Sequence, residues 1–99
     1  MMRNMKVRAH IFVSGMVQGI FFRVETRSKA LKRSVAGWVR NTSDGRVEAI
    51  FEGKKGDVEQ LIDFCGLGPS GARVEKIDMH WEEYTGVFDG FKIRRTVII

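Results

Sequence analysis

The stretch KVRAHIFVSGMVQGIFFR, residues 6–23, contains the two periodicities that predict the fold. Lys6 to Ser14 alternates strictly, with one face formed by Val7, Ala9, Ile11 and Val13, which predicts a half-buried strand. A glycine-flanked loop follows, and residues that favour a helix extend from Phe22 to about Ser34. The chain is therefore predicted to begin with a strand, a loop and a helix.

A hairpin and a second helix are predicted next. Two strand-like runs, Ala36 to Asn41 and Arg46 to Glu52, flank the dipeptide Asp44-Gly45, a strong hairpin signal. A helix follows because apolar residues recur at i, i+3, i+4 and i+7, namely Val58, Leu61, Ile62 and Cys65, before Gly66, Gly68 and Pro69 end the pattern.

Two further strands complete the chain, Arg73 to Glu82 and Phe91 to Ile99. The predicted order is therefore βαββαβ with an extra C-terminal strand. Two strand-helix-strand units that share a sheet predict an α+β, ferredoxin-like two-layer sandwich, with an antiparallel sheet and two helices on one face. We expect residues 1–99 to form a single domain.

Composition indicates a globular protein but does not choose its partner. Apolar residues make up 43% of the 99 residues and charged residues 29%, ordinary values for a soluble domain. No apolar run approaches a membrane span, and the first residues lead into no signal-peptide core, so we expect a cytosolic protein. A net charge of +5 favours an anionic partner, although a solvated basic surface would produce the same charge.

Metal and thiol chemistry have few candidate residues. Cys65 is the one cysteine and cannot form an internal disulfide, and with only His10 and His80 beside it no structural zinc site can be assembled. Cys65 also falls on the apolar face of the second predicted helix. We therefore expect a buried thiol.

The loop between the first strand and helix is suited to binding an anion. Backbone N–H groups at a helix start lack intrahelical partners and lie at the positive end of the helix dipole. Gly15 and Gly19 let the main chain curve towards a ligand, and Arg23 offers a planar fork of donors for two oxygens of a phosphate. A plain strand-to-helix turn with a solvated arginine fits the same spacing.

Asn41 is a second polar residue at a strand end. It closes the predicted strand after the first helix, and its side chain carries both a donor and an acceptor. An asparagine here can equally bond to the backbone of the following turn. Asn41 alone therefore does not distinguish a functional residue from a turn residue.

The two segments together resemble a known family. SGMVQGIFFR (residues 14–23) and GWVRNTSDGRV (residues 37–47) are similar to the signatures GxVQGVxFR and GxVxNxxDGxV of the acylphosphatases. These small enzymes hydrolyse carboxyl-phosphate mixed anhydrides. The resemblance covers both signatures and the whole order of elements.

The resemblance implies a role for each matching residue. Arg23 would clamp the phosphate, Asn41 would hold the attacking water, and Thr42 would fix the Asn41 side chain by a hydrogen bond. The loop would bind the substrate phosphate through its backbone N–H groups, and the residues that this implicates are Gly15, Met16, Val17, Gln18, Gly19, Ile20, Phe21 and Phe22.

The resemblance also implies the partners. It implies a small acyl phosphate as substrate, inorganic phosphate as product and inhibitor, and neither a metal nor an organic cofactor. We expect a monomer that binds no nucleic acid and no membrane. Two positions depart from the pattern: Ile20 replaces valine, and Ser34 stands where a glycine would form a left-handed helix cap. The second change puts helix stability in question.

Two other functions fit the predicted fold. An RNA-binding module could use Lys6, Arg8 and Phe12 on the open sheet face, but the third strand, RVEAIFEG, lacks the aromatic-rich ribonucleoprotein signature. A regulatory domain for a small ligand would leave Arg23 and Asn41 without a purpose. Hydrolysis of an acyl phosphate is the function that uses both residues.

Overall fold

A computed structural model describes residues 2–99 and confirms the predicted order of elements. A short 3-10 turn, Met2–Asn4, precedes the first strand. The helices and strands are β1 (Lys6–Met16), α1 (Phe22–Lys32), β2 (Ala36–Asn41), β3 (Val47–Lys54), α2 (Lys55–Leu67), β4 (Arg73–Glu82) and β5 (Phe91–Ile93). Among these described residues no helix is both long and apolar enough to cross a membrane.

The five strands form one mixed sheet in the order β4-β1-β3-β2-β5. The pairs β1–β3, β1–β4 and β2–β3 are antiparallel as predicted, but β5 runs parallel to β2. The prediction of a wholly antiparallel sheet is therefore wrong at this edge. Alternation shows that a segment is extended, but it carries no information about the direction of its neighbour.

The last strand is also much shorter than its alternation predicts. Pairing with β2 stops at Val39 and Ile93 and resumes only as an isolated bridge between Thr42 and Val97. Thr42 is three residues after Val39, whereas Val97 is four residues after Ile93. The extra residue breaks the ladder.

The core lies between the sheet and the two helices. Ala9, Ile11 and Val13 of β1 are paired with Phe51, Ala49 and Val47 of β3, and all six are fully buried. The helices contribute Phe22 and Phe64, whose ring centroids are 6.3 Å apart, and Cys65. Cys65 is free and buried, which confirms the expectation of a buried thiol, and burial raises the pKa of this thiol to about 12.

A charged network on the opposite face of the sheet holds the connection between β4 and β5. Glu52 of β3, 2% exposed, accepts hydrogen bonds from the backbone N–H groups of Thr85 and Gly86, both at 3.0 Å, and from the Thr85 hydroxyl at 2.8 Å. Arg8 also contacts this carboxylate, at 3.4 Å. Burial raises the pKa of Glu52, but these hydrogen bonds outweigh it and lower the pKa overall.

The C-terminus of α1 has a left-handed cap, although its sequence has no glycine at that position. Ser34 has φ 55°, the backbone N–H of Ser34 donates to Leu31 O at 3.3 Å, and that of Val35 donates to Ala30 O at 2.9 Å. These two bonds define a Schellman motif, which glycine forms without the steric penalty of a Cβ. Ser34 therefore carries backbone strain that the packing of Val35 and Ala30 in the core maintains.

Replacing Ser34 with glycine should stabilise the protein. We expect Ser34→Gly to raise the free energy of unfolding by about 0.5–1 kcal/mol, because relief of the left-handed strain outweighs the added entropy of the unfolded chain. Urea denaturation measures the change. The matched control is Ser28→Gly in the interior of α1, which should lower the same free energy by a similar amount; a loss of stability in Ser34→Gly would contradict the interpretation.

Glu52 should make the protein sensitive to acid. Because its pKa is lower in the folded state than the ordinary value of 4.5, its stabilising effect is complete above that value and is lost as the pH falls through the folded pKa. We expect Glu52→Gln to cost about 1–3 kcal/mol at pH 7 and to reduce the loss of stability between pH 7 and about pH 3. Glu83→Gln, at an exposed position, should change neither quantity; an unaltered acid sensitivity in Glu52→Gln would contradict this role.

Candidate active site

The C-terminal ends of β1 and β2 lie at the same end of the sheet. Both strands are antiparallel to β3, which lies between them, so they run in the same direction and have their C-terminal ends at the same end of the sheet. Asn41 pairs with Val47, and Val47 pairs with Val13. Asn41 is therefore level with Val13, three residues before the end of β1, and two strand spacings away, or about 10 Å.

The loop after β1 leads directly into an open helix start. Phe21 is the residue that precedes α1, and it adopts a left-handed conformation, φ 63° and ψ 19°, without any side-chain hydrogen bond that caps the helix. The backbone N–H of Glu25 donates to Phe21 O at 3.0 Å. The N–H groups of the preceding helical residues have no intrahelical acceptor, so they remain free to bind an anion.

A cleft of about 320 Å³ brings Arg23 and Asn41 together with this loop. Its lining residues are Val17, Gly19, Phe21, Phe22, Arg23, Val24 and Asn41. None of these side chains is a carboxylate, and Arg23 forms no ion pair within residues 2–99. The cleft thus holds one uncompensated guanidinium beside a helix N-terminus, an arrangement that favours a dianionic group.

Asn41, which lines this cleft, has a side-chain acceptor without a partner among the described residues. Its Oδ1 is buried and has no hydrogen-bond partner in the part of the chain that the structure describes. A buried carbonyl oxygen without a partner is costly, and native proteins usually satisfy such groups with a protein donor, a ligand or water. Because this side-chain oxygen forms no hydrogen bond with the turn, the structure does not support the alternative in which Asn41 serves only to stabilise the turn.

The side chain of Thr42, and not that of Asn41, stabilises the turn. Its hydroxyl donates to the Asp44 carboxylate, and it accepts a hydrogen bond from the backbone N–H of Arg46 at 3.1 Å. Hydrogen bonds from Arg46 and Thr42 lower the pKa of Asp44. The expected hydrogen bond from Thr42 to the Asn41 side chain is not formed among the described residues, because the turn occupies the hydroxyl.

Gln18 connects the loop to the hairpin. Its Nε2 donates to two backbone carbonyl oxygens, Thr42 O at 2.9 Å and Arg46 O at 2.8 Å. These acceptors lie on the two sides of the β2–β3 turn. The side chain therefore fixes the distance between the loop that leads to Arg23 and the strand end that carries Asn41.

The C-terminal segment braces the same strand end from the other side. The backbone N–H of Val97 donates to Asn41 O at 3.2 Å, and that of Ser43 donates to Val97 O at 2.9 Å. The backbone N–H of Ile99 donates to the Ser43 hydroxyl at 2.9 Å. The backbone at Asn41 is thus held by β3 and by residues 97–99.

The loop residues Val17, Gly19, Phe21 and Phe22 line the cleft, whereas the rest of the predicted loop does not. Gly15 and Met16 belong to β1 and pair with β4, and a Cβ on Gly15 would collide with the carbonyl oxygen of Arg73. The close approach of the neighbouring strand therefore requires glycine there. Gly15, Met16, Gln18 and Ile20 do not line the cleft, whereas Val24, which sequence reasoning missed, does.

Comparison with known proteins identifies the family. The family model described as acylphosphatase matches residues 9–93, which include the loop, Arg23 and Asn41. This chain belongs to the acylphosphatase family. The resemblance of the two short signatures thus extends over most of the domain.

Individual members of the acylphosphatase family show the same likeness. An acylphosphatase of Chloroflexus aurantiacus is 59% identical over 80 residues, which are 81% of this chain and 87% of that protein. One of Pelotomaculum thermopropionicum is 51% identical over 88 residues, covering 89% and 96%. The solved structure of an acylphosphatase from Coxiella burnetii superposes with a TM-score of 0.85 at 32% identity, covering 90% of this chain and 93% of that one.

The hydrogen bonds of Gln18 can be tested through stability. Gln18→Ala should lower the free energy of unfolding by about 1–2 kcal/mol, since it removes two hydrogen bonds and leaves two carbonyl oxygens without this donor. Urea denaturation measures the loss. Gln60→Ala, an exposed position on α2, is the matched control and should change stability by less than about 0.5 kcal/mol; equal effects of the two substitutions would contradict the connecting role.

Proposed function

We propose that Arg23 and Asn41 divide the acylphosphatase reaction between them, with Arg23 binding the phosphoryl group and Asn41 orienting the attacking water. The hydrolysis of small acyl phosphates is the activity of the family to which this chain belongs. One observation carries the assignment of residues. Asn41, whose buried Oδ1 has no hydrogen-bond partner among the described residues, lines the same carboxylate-free cleft as Arg23, which forms no ion pair within residues 2–99.

The phosphoryl group would bind at the start of α1. The free backbone N–H groups there and the Arg23 guanidinium offer donors to its equatorial oxygens. Negative charge spreads over these oxygens in the transition state, where preorganised donors in a partly enclosed cleft act most strongly. The lining contains no side chain that would repel this charge.

The water would bind at Asn41. Its Oδ1 accepts one hydrogen bond from the water, which turns a lone pair of the water oxygen towards phosphorus. As the new oxygen–phosphorus bond forms, the bond between phosphorus and the carboxyl oxygen breaks, and its electron pair leaves with the carboxylate. Alignment of the attacking and leaving oxygens is the main requirement of such a displacement.

The substrate itself would take the proton of the water. An amide does not ionise in the working range, so Asn41 positions the water but does not deprotonate it, and no histidine, cysteine or carboxylate lines the cleft. A carboxylate is a good leaving group and needs no general acid. Transfer of the proton to a phosphate oxygen balances the reaction and yields a carboxylate and inorganic phosphate.

The rival nucleic-acid function is less well supported by the open face of the sheet. Arg8 is paired with Glu52 and Glu82 at 3.4 and 2.9 Å, and Arg40 is paired with Glu48 at 2.8 Å. A nucleic-acid backbone would have to displace these carboxylates. Inhibition by inorganic phosphate, a monomeric state, a cytosolic location and the lack of nucleic-acid and membrane partners stay predictions.

Substitution of each residue should separate binding from water positioning. With benzoyl phosphate, whose hydrolysis is followed by optical absorbance, we expect Arg23→Gln to lower kcat/KM by about 10³-fold and to abolish inhibition by inorganic phosphate. Asn41→Ala should lower kcat by about 10²- to 10³-fold and preserve that inhibition, because the phosphate-binding groups remain.

The matched control is Lys32→Gln, which removes one positive charge from the other end of the same helix and should leave the kinetics within about twofold. Wild-type protein without activity towards acyl phosphates would overturn the proposed function. Unchanged activity in Arg23→Gln and Asn41→Ala would overturn the assignment of the two residues. Loss of phosphate inhibition in Asn41→Ala would contradict the division of roles.

A further inference from the structure

Phe21 has an unusual combination of backbone strain and exposure. It is one of two non-glycine residues with positive φ among residues 2–99, and bulky side chains rarely adopt this left-handed conformation. Its side chain is also 76% exposed. An aromatic ring at this position therefore costs free energy through its backbone and gains almost nothing from the core of the protein.

The fold explains the conformation of Phe21 but not its side chain. The left-handed turn lets the carbonyl oxygen of Phe21 accept the hydrogen bond from Glu25 that begins α1. Glycine or asparagine would form the same turn with less strain. Ser34, the other strained residue, carries a small side chain, whereas Phe21 places a whole ring in contact with solvent.

The exposed ring belongs to the cleft. Phe21 and Val24, the latter 55% exposed, both line the cleft that contains Arg23 and Asn41. The other apolar side chains of the lining, Val17 and Phe22, are buried in the core. Phe21 and Val24 therefore supply the apolar surface of the cleft that remains available to a ligand.

The chemistry of the reaction decides which part of the substrate reaches this surface. In an in-line displacement the leaving oxygen lies on the side of phosphorus opposite the attacking water. If Asn41 holds the water, the acyl group must point away from Asn41. The only charged or hydrogen-bonding side chains in the lining are those of Arg23, which the phosphoryl oxygens would occupy, and Asn41, which would hold the water.

We propose that Phe21 and Val24 form an apolar platform that binds the acyl group, so that the enzyme prefers acyl phosphates with aromatic or extended aliphatic acyl groups over acetyl phosphate. This inference rests on the proposed function. An aromatic ring on the substrate stacks on Phe21 and buries apolar area of both partners, whereas the methyl group of acetyl phosphate buries little. The platform thereby determines specificity without taking part in bond breaking.

The test compares two substrates in the same variants. Phe21→Asn keeps a residue that tolerates the left-handed turn and removes the ring. We expect it to lower the ratio of kcat/KM for benzoyl phosphate to that for acetyl phosphate by about tenfold. Val24→Thr, which replaces a methyl group with a hydroxyl group of similar shape, should lower the same ratio by about threefold. Leu67→Asn removes an apolar side chain that is 82% exposed at the end of α2 and should leave the ratio unchanged.

The stability of the Phe21→Asn variant provides a second, independent test of the proposal. Because Phe21 serves the cleft and not the core, Phe21→Asn should unfold at a urea concentration at least as high as wild type. A less stable variant would show that the ring supports the fold and would overturn the proposal. An unchanged substrate ratio in Phe21→Asn would also overturn it, and this failure is distinct from that of the proposed function, in which wild-type protein would hydrolyse neither substrate.

Discussion

The shared direction of β1 and β2 is the constraint on which the rest of the structure depends. Each strand is antiparallel to β3, so both deliver their C-terminal ends to one end of the sheet. The loop proposed to bind phosphate follows the first strand, and Asn41, the amide proposed to orient water, ends the second. The separation of the two groups is then set by two strand spacings, about 10 Å, and by the length of the returning loop. Gln18 fixes that return through two hydrogen bonds.

Strands and helices with complete periodic patterns could be predicted from the sequence. The bounds of β2 and β4 match the predictions. Of the four apolar positions that predict α2, Val58, Leu61 and Cys65 are buried and Ile62 is half-buried. The last strand could not be predicted, because its direction and its single extra residue depend on how β5 meets β2 at the sheet edge. The alternation of residues in this segment reveals neither the direction of the strand nor its extra residue. A local pattern identifies an extended segment, and tertiary contacts decide its pairing.

The residues of the site also divide into those that could be predicted from the sequence and those that could not. Arg23 and Asn41 could be selected because the two signatures that contain them together resemble those of the acylphosphatases, and the structure places both residues in the lining of one cleft. The use of Thr42 could not be predicted, since its hydroxyl has two nearby acceptors in the turn itself. Gly15 fits a phosphate loop in the sequence, yet its glycine is required by the close approach of β4. Phe21 occupies a variable position of the loop signature, and only its strained backbone and exposed ring mark it as a residue of interest.

The hydrogen bonds between the Asn41 turn and residues 97–99 have a consequence for the order in which the protein matures during synthesis. Ser43 and Ile99 are 56 residues apart in sequence, and the ribosome makes the Asn41 turn long before its last partners. A nascent chain can already contain the loop, Arg23 and the β2–β3 hairpin while the backbone at Asn41 lacks the support of Val97. Full preorganisation of the cleft must therefore await the emergence of residues 97–99 from the ribosomal tunnel.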